Sequence, residues 1–483
     1  MFWRKLRQKI HVSWLIAACC MGIVVGVIAA QHISLSHYVW VVFGISLAGI
    51  GLWQRNVYMV ALMLIAGIVI GLWRGSVSQA ELAPYAHIIG HVATISGTVS
   101  EDVDVGKTDE LVVRLKDIHI NNHAIAGSVW VSTTMKRTDV KRSDIVTIQG
   151  KVAEGFGSFA ASMYRAKLIK VERPEPGDQA LKLRDWFSDG VRNAIPEPEA
   201  SLGVGYLVGQ RRSLPPELDD ALRTAGLMHI VVASGYNLTI LVRLARRLFE
   251  KVSKYLAAVS AGSMIIAFVM VTGLSPSMSR AGLVAGLSLL AWYYGRKFHP
   301  LVLLPFAAAV TLLINPSYGW NDLGWQLSFA AFGGVMIFAP LLQSYFFGDK
   351  EPGIVRQILG ETISASIVTW PILVVAFGQF SNVAIIANLL ILPFVPLAML
   401  LTFIGGIGAL IFPSIATVVG FPATALLHYM VNVAEYVAKL PWAMTEIELP
   451  PYIAYGLYII LITACIYMWH KTRLKLQDSS IVE

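Results

Sequence analysis

The sequence predicts a polytopic α-helical membrane protein carrying a small extracytoplasmic β-barrel of the OB-fold type. Three observations carry that prediction. Of 483 residues, 56% are hydrophobic and only 14% charged, against about 25% charged in soluble domains. The mean hydropathy is +0.63, and the apolar residues gather in runs long enough to approach the ~20 residues of a membrane-crossing helix. One internal stretch, about residues 75–198, breaks this pattern with short alternating segments. A soluble enzyme, a disordered chain and a collagen-like chain are all excluded by this composition. Cys19, Cys20 and Cys465 all lie in apolar stretches, which argues against a disulfide framework or a thiolate metal centre.

Three apolar runs open the chain, Val12 to Ile33, Tyr38 to Trp53 and Val57 to Trp73, behind the bases Arg4, Lys5, Arg7 and Lys9. The positive-inside rule puts the N-terminus in the cytoplasm and the segment after the third run outside. That segment reads as five antiparallel strands: Val92 to Ser100, Glu110 to Ile120, Gly127 to Thr133, Asp144 to Val152 and Met163 to Glu172. Polar breaks separate them, and five short strands suit a small barrel. Nine further crossings are predicted: Gly226 to Leu244, Tyr255 to Leu274, Ala281 to Tyr294, Leu301 to Ile314, Leu323 to Leu342, Ile358 to Phe377, Val383 to Phe412, Ile415 to Val437 and Tyr452 to Trp469. One crossing per run places the basic clusters at residues 243–254, 296–297, 350–356 and 470–475 on the cytoplasmic side, with a cytoplasmic C-terminus. Pro393, Pro396 and Gly405-Gly406 mark Val383 to Phe412 as broken or re-entrant. The expected division is 1–74 for three membrane helices, 75–198 for the barrel domain, 199–470 for a second membrane domain and 471–483 for a cytoplasmic tail.

Catalytic signatures are weak. Gly106-Lys107-Thr108 lacks the first glycine of a phosphate loop, since position 101 is Glu101. His87 and His91 have no third metal ligand nearby, and no nucleophile elbow occurs. The chain is therefore expected to be no enzyme and to need no cofactor. Polar residues inside apolar runs are more informative, because they are costly in lipid and by default face a bundle interior or a watery path. The densest case holds His229, Ser234, Gly235, Asn237 and Thr239, approached by Arg211 and Arg212. Arg280, Gln326, Ser328 and Asn388 add to a candidate hydrophilic path. Interhelical hydrogen bonding is the plainer explanation for any one of them. In the barrel, the interval from Ser132 to Arg173 holds nine bases against four acids. Lys136, Arg137, Lys141, Arg142, Arg165 and Lys167, with Phe156, Phe159 and Tyr164 for stacking, form a candidate single-strand contact. A solvated charged face is the alternative.

The run Leu207-Val-Gly-Gln-Arg-Arg-Ser-Leu214, then Arg223-Thr-Ala-Gly-Leu-Met-His229 up to Ser234-Gly235, closely resembles the ComEC competence family. Ser279-Arg280-Ala281, Asn315-Pro316, Gln326-Leu-Ser-Phe329, Gly378-Gln-Phe-Ser381 and Ala387-Asn388-Leu389 follow in the same order. The resemblance implies an inner-membrane channel for single-stranded transforming DNA. It also implies a cytoplasmic motor or helicase, an extracytoplasmic DNA receptor, a separate nuclease and a second copy of the chain as partners. Two departures stand out. Many members read Ser-Gly-Leu-His where this chain has Ser234-Gly235-Tyr236-Asn237, and many end in a metallo-β-lactamase-like domain that does not follow the last predicted crossing here. A transporter or scaffold, or an intramembrane enzyme, are the rival classes; inverted repeats with matched broken helices, the transporter mark, are not evident.

Overall fold

The computed structural model describes residues 9–105, 110–120, 123–133, 140–210, 214–231, 234–273, 276–295, 299–348 and 352–472. They form two compact units, one of Met1–Gln179 with Leu301–Trp325, the other of Ala180–Pro300 with Gln326–Glu483. The protein is a polytopic helical membrane protein with a small barrel: eight helices among the described residues are long and apolar enough to cross a bilayer.

In the first unit, α1 (Val12–Ala29), α2 (Val39–Gln54) and α3 (Tyr58–Leu82) match the three predicted runs. Glycines set how α1 and α3 meet. A Cβ on Gly22 would sit 2.2 Å from the Leu64 carbonyl oxygen, and one on Gly67 would sit 1.9 Å from that of Cys19. Gly26 and Gly71 repeat the arrangement one turn on, at 2.3 Å from Ile68 and Ile23 oxygens. Small residues four apart on both helices thus bring the backbones into contact, the usual device where lipid removes any hydrophobic drive.

The barrel strands are β1 (Val92–Val99), β2 (Leu111–Ile120), β3 (Val129–Thr133), β4 (Ile145–Glu154) and β5 (Ala161–Glu172). All five predicted strands are present, with ends shifted by one or two residues. They pair in the order β1-β4-β5-β3-β2, and β1 pairs β2 to close the ring. Only β3 and β5 run parallel. This is the five-stranded closed topology of an OB-fold. Alternation builds it: Val113, Leu115, Val129, Val131, Val146 and Ile148 point inward at 1% exposure or less, while Arg114, Trp130 and Thr147 between them lie on the outer side.

The mouth of β4 is held by charge. Asp144 is 2% exposed; its carboxylate accepts from Arg173 Nε at 2.9 Å, from Arg173 Nη2 at 2.8 Å and from the Lys141 amide at 2.8 Å. Charge-assisted bonds contribute roughly 1.5–3 kcal/mol each. Asp144→Ala is therefore expected to destabilise the barrel by about 3 kcal/mol. Denaturant unfolding followed through the barrel's strand signal checks this, and a change under about 0.5 kcal/mol would be that of an ordinary surface position.

In the second unit the predicted crossing Gly226 to Leu244 is corrected. No single helix spans it: after α6 (Pro216–Thr224) come the short α7 (Met228–Val231) and then α8 (Gly235–Glu250), preceded by α4 (Gln179–Ala194) and α5 (Glu199–Val208). The run is apolar on average, but Arg243, Arg246 and Arg247 lie within α8, which makes it amphipathic and leaves it outside the set of crossing helices. Apolar α9 (Lys254–Thr272) follows. Next, α10 (Pro276–Tyr293) carries Arg280 and is not apolar enough to join the set. The short apolar α11 (Pro300–Ile314) and α12 (Ser317–Asn321) belong to the first unit. The helix α13 (Leu323–Phe347) widens into a π turn over Gly334–Phe338 and is followed by α14 (Ile354–Phe377). Val383 to Phe412 resolves into α15 (Ala384–Ile391) and α16 (Val395–Ile411), broken by a 3₁₀ turn at Leu392–Phe394 where Pro393 cannot continue the ladder. A helix over Ala416–Ala438, α17, and one over Pro451–Thr472, α18, complete the chain. The main core of this unit gathers residues of α4, α5, α6, α16 and α17, including Val191, Leu202, Leu222, Met399 and Leu427.

Candidate functional site

Two places collect the sequence-predicted residues, one in each unit. On the barrel, inward Val129 and Val131 leave Trp130 outward, and Arg114 lies directly opposite it in the β2–β3 register. The Trp130 ring is 5.2 Å from that of Tyr164 and 5.4 Å from that of Phe156, and Phe156 is 5.5 Å from Phe159. Tyr164 is 57% and Phe156 46% exposed, so the row is open to a ligand. A β-bulge creates part of it. Between the pairs Val131–Met163 and Thr133–Ala166, Ser132 faces both Tyr164 and Arg165. Arg165 adopts φ +49°, and its amide donates to Ser132 Oγ at 3.1 Å. Two consecutive side chains therefore point outward, as bulges allow. Arg165 and Lys167 are exposed beside the row, Arg165 reaching Glu110 at 3.7 Å.

The other predicted barrel bases divide. Arg142 is corrected: it is 7% exposed, and its Nε donates to Asp178 at 2.7 Å, so it ties the linker down and is not on the open face. Lys141 is exposed near Asp144. Lys136 and Arg137 lie outside the described residues. Trp130 was missed by the sequence reading, although a lone Trp between two serines on the polar phase of a strand was visible. Acids flank the row as well. Arg114 bonds Asp104 at 2.8 Å and Glu101 at 3.3 Å. Burial pushes the Glu101 carboxyl above its usual range; Arg114 opposes the rise, while Asp104, Asp102 and Asp322 add to it.

In the second unit the densest predicted motif sits where α8 begins. Gly226, at φ +71°, turns the chain out of α6, and a Cβ there would meet Ala384 of α15 at 2.7 Å. His229 is exposed, and its Nδ1 donates to the Gly226 carbonyl at 3.0 Å. Ser234 caps α8, its Oγ accepting from the Asn237 amide at 3.3 Å. Thr239 turns back to the Gly235 carbonyl at 2.7 Å. Asn237 is fully buried; its Nδ2 donates to the carbonyls of Tyr206 at 3.1 Å and Ile230 at 3.0 Å. It ties α5 and α7 to α8 and is removed from any open path. Gly235 faces Ala281 of α10, where a Cβ would stand 3.4 Å from that of Ala281. The preceding residue, Arg280, is 3% exposed, with its guanidinium 5.6 Å over the Phe329 ring. Gln326 and Ser328, half-buried, precede Phe329 on α13. Asn388 is 4% exposed in α15, its Oδ1 buried without a hydrogen bond. Arg211 and Arg212 lie outside the described residues.

Chemically, this second place offers a capped helix N-terminus and a buried guanidinium on the neighbouring helix. Both favour negative charge. Among the described residues no group of His, Cys, Asp and Glu is arranged to hold a metal ion.

Comparison with known proteins bears on the second unit above all. ComE operon protein 3 of Bacillus subtilis (strain 168) is 26% identical over 220 residues, 45% of this chain. The match spans only 27% of that protein's length. No solved structure matches. The family profile described as "Competence protein" matches residues 206–472, which takes in Tyr206, the Ser234–Thr239 turn, Arg280, Gln326, Ser328 and Asn388. More than half of the chain lies within that match, and the chain belongs to the Competence protein family.

Proposed function

We propose that this protein conducts single-stranded DNA across the bacterial inner membrane during natural transformation. The observation that carries the reading is the outward row Trp130–Tyr164–Phe156–Phe159, flanked by Arg165 and Lys167, on an OB-type barrel in a chain of the competence family. Every nucleobase has a π-face, so a row of outward rings binds a single strand with little sequence preference, and the adjacent Arg165 and Lys167 hold its backbone. The barrel domain and the N-terminus lie on opposite sides of the membrane in this reading, the barrel outside the cytoplasm, and residues 199–470 conduct the strand.

In the membrane, phosphates cannot cross hydrocarbon unaided, since a charge at the bilayer centre costs ~2.5 kcal/mol or more. Arg211, Arg212 and Arg280, with the N-terminus of α8, supply the compensating charge, and His229, Gln326 and Ser328 supply polar surface. A cytoplasmic motor of the helicase type pulls the strand. An extracytoplasmic receptor delivers the DNA, and a separate nuclease removes the second strand.

Trp130→Ala combined with Tyr164→Ala tests the barrel's part. Each lost stacking ring weakens single-strand binding by ~1–3 kcal/mol, so the full-length double variant is expected to bind a labelled oligonucleotide at least tenfold more weakly and to take up less DNA. Unchanged binding, or binding that ignores salt, would sink the barrel's assigned role.

A further inference from the structure

The strongest unassigned feature lies where α8 ends and α9 begins. Between Arg243 and Tyr255 the chain holds five bases, Arg243, Arg246, Arg247, Lys251 and Lys254, and a single acid, Glu250. Glu250 stands 4.0 Å from Arg246, whose side chain is only 11% exposed, so Lys254 is a more open cation than Arg246. Rings from the end of α10 meet these bases. The Arg246 guanidinium lies 5.0 Å over Trp292, and Lys254 Nζ is 5.7 Å from the rings of both Trp292 and Tyr293.

Lys254 fixes the level of this cluster. It opens α9, a 19-residue helix with a mean hydropathy of 2.0 that is suited to crossing the bilayer. A base at the first residue of such a helix sits among the headgroups, and Trp and Tyr favour the same depth. Apolar side chains are interleaved with the bases and exposed: Leu248 at 65%, Val252 at 74% and Tyr255 at 68%. An amphipathic helix with Arg on one face and large apolar residues on the other lies in the plane of the interface. The fringe at Leu248 and Val252 is aliphatic and offers a single strand no ring to stack on, unlike the rings beside Arg165 on the barrel.

We propose that Arg246, Lys254 and Trp292 form a binding site for the phosphate of an anionic phospholipid, which anchors the end of α8 in the headgroup layer. The Trp292 ring draws both cations to it by cation–π attraction, and the interval 243–255 carries five bases against Glu250 alone. The site stands apart from the DNA path and does not depend on it.

The test uses the full chain in neutral detergent, titrated with short-chain phosphatidylglycerol or phosphatidylcholine while thermal unfolding is followed. Phosphatidylglycerol is expected to raise the unfolding temperature and phosphatidylcholine to leave it nearly unchanged. Arg246→Gln and Lys254→Gln should each lower the apparent lipid affinity roughly fivefold, the share of one base near an anionic surface. Arg247→Gln, an exposed base away from the rings, keeps the test valid if either variant folds poorly, and should lower affinity by a similar or smaller factor. Equal stabilisation by both lipids, or identical titrations for wild type and all three variants, would overturn the site. Displacement of phosphatidylglycerol by a single-stranded oligonucleotide would also overturn it, reassigning the surface to nucleic acid.

Discussion

Gly67→Ala is expected to cost the protein its N-terminal membrane fold. The added methyl carbon would stand 1.9 Å from the Cys19 carbonyl oxygen and 2.9 Å from the Ile23 nitrogen, both main-chain atoms of α1. No rotamer change relieves a backbone contact, so α1 and α3 must separate by more than an ångström. Separation also undoes the contacts at Gly22, Gly26 and Gly71, because the four glycines share one seam. Overpacking in a core costs about 1–3 kcal/mol where side chains can yield; here they cannot, and a loss of ~3 kcal/mol or more is expected. Gly49, on α2, supplies the control, since a Cβ there meets nothing within 4 Å. Gly49→Ala should express and resist protease like wild type, whereas Gly67→Ala should show reduced folded yield and rapid cleavage. Equal behaviour of the two variants would show that the seam is not what holds α1 to α3.

The seam also shows what kind of information the sequence exposes. Gly22 and Gly26, like Gly67 and Gly71, are four apart and could have been read as a pairing motif; hydropathy averaging passed over them. The barrel was legible because strand alternation is local: each inward valine or isoleucine announces its phase within two residues. Five strands then leave few ways to close. Crossings were legible for the same reason wherever the apolar run was uniform. Gly226 to Leu244 was not uniform. Its mean hydropathy hid a turn at Gly226, a cap at Ser234 and three arginines within α8, so a broken amphipathic element passed for a crossing. Partners distant in sequence were invisible throughout. Nothing near Arg142 reveals that Asp178 will bury it, and nothing near Asn237 reveals the Tyr206 carbonyl.

That last residue gives the clearest separation of support from passage. Asn237→Leu keeps the approximate volume and removes the amide, leaving the Tyr206 and Ile230 carbonyls buried without the donor they now share. Each orphaned group costs about 1–3 kcal/mol; Asn237 Oδ1, itself buried without a hydrogen bond, goes with the amide and offsets part of this, so a net loss of roughly 2 kcal/mol is expected. DNA uptake should fall with it, in proportion to folded protein. Gln326→Leu changes a half-buried side chain on α13 that the structure gives no comparable tethering role. It should leave the unfolding temperature within a few degrees of wild type while lowering uptake, if the path runs beside it. Thermal unfolding and uptake measured on both variants separate the roles. A stable Asn237→Leu protein that fails only in uptake would place Asn237 on the path and refute its part as a tether. A Gln326→Leu protein with normal uptake would remove α13 from the path, leaving Arg280, stacked on Phe329 of that same helix, as a packing arginine alone.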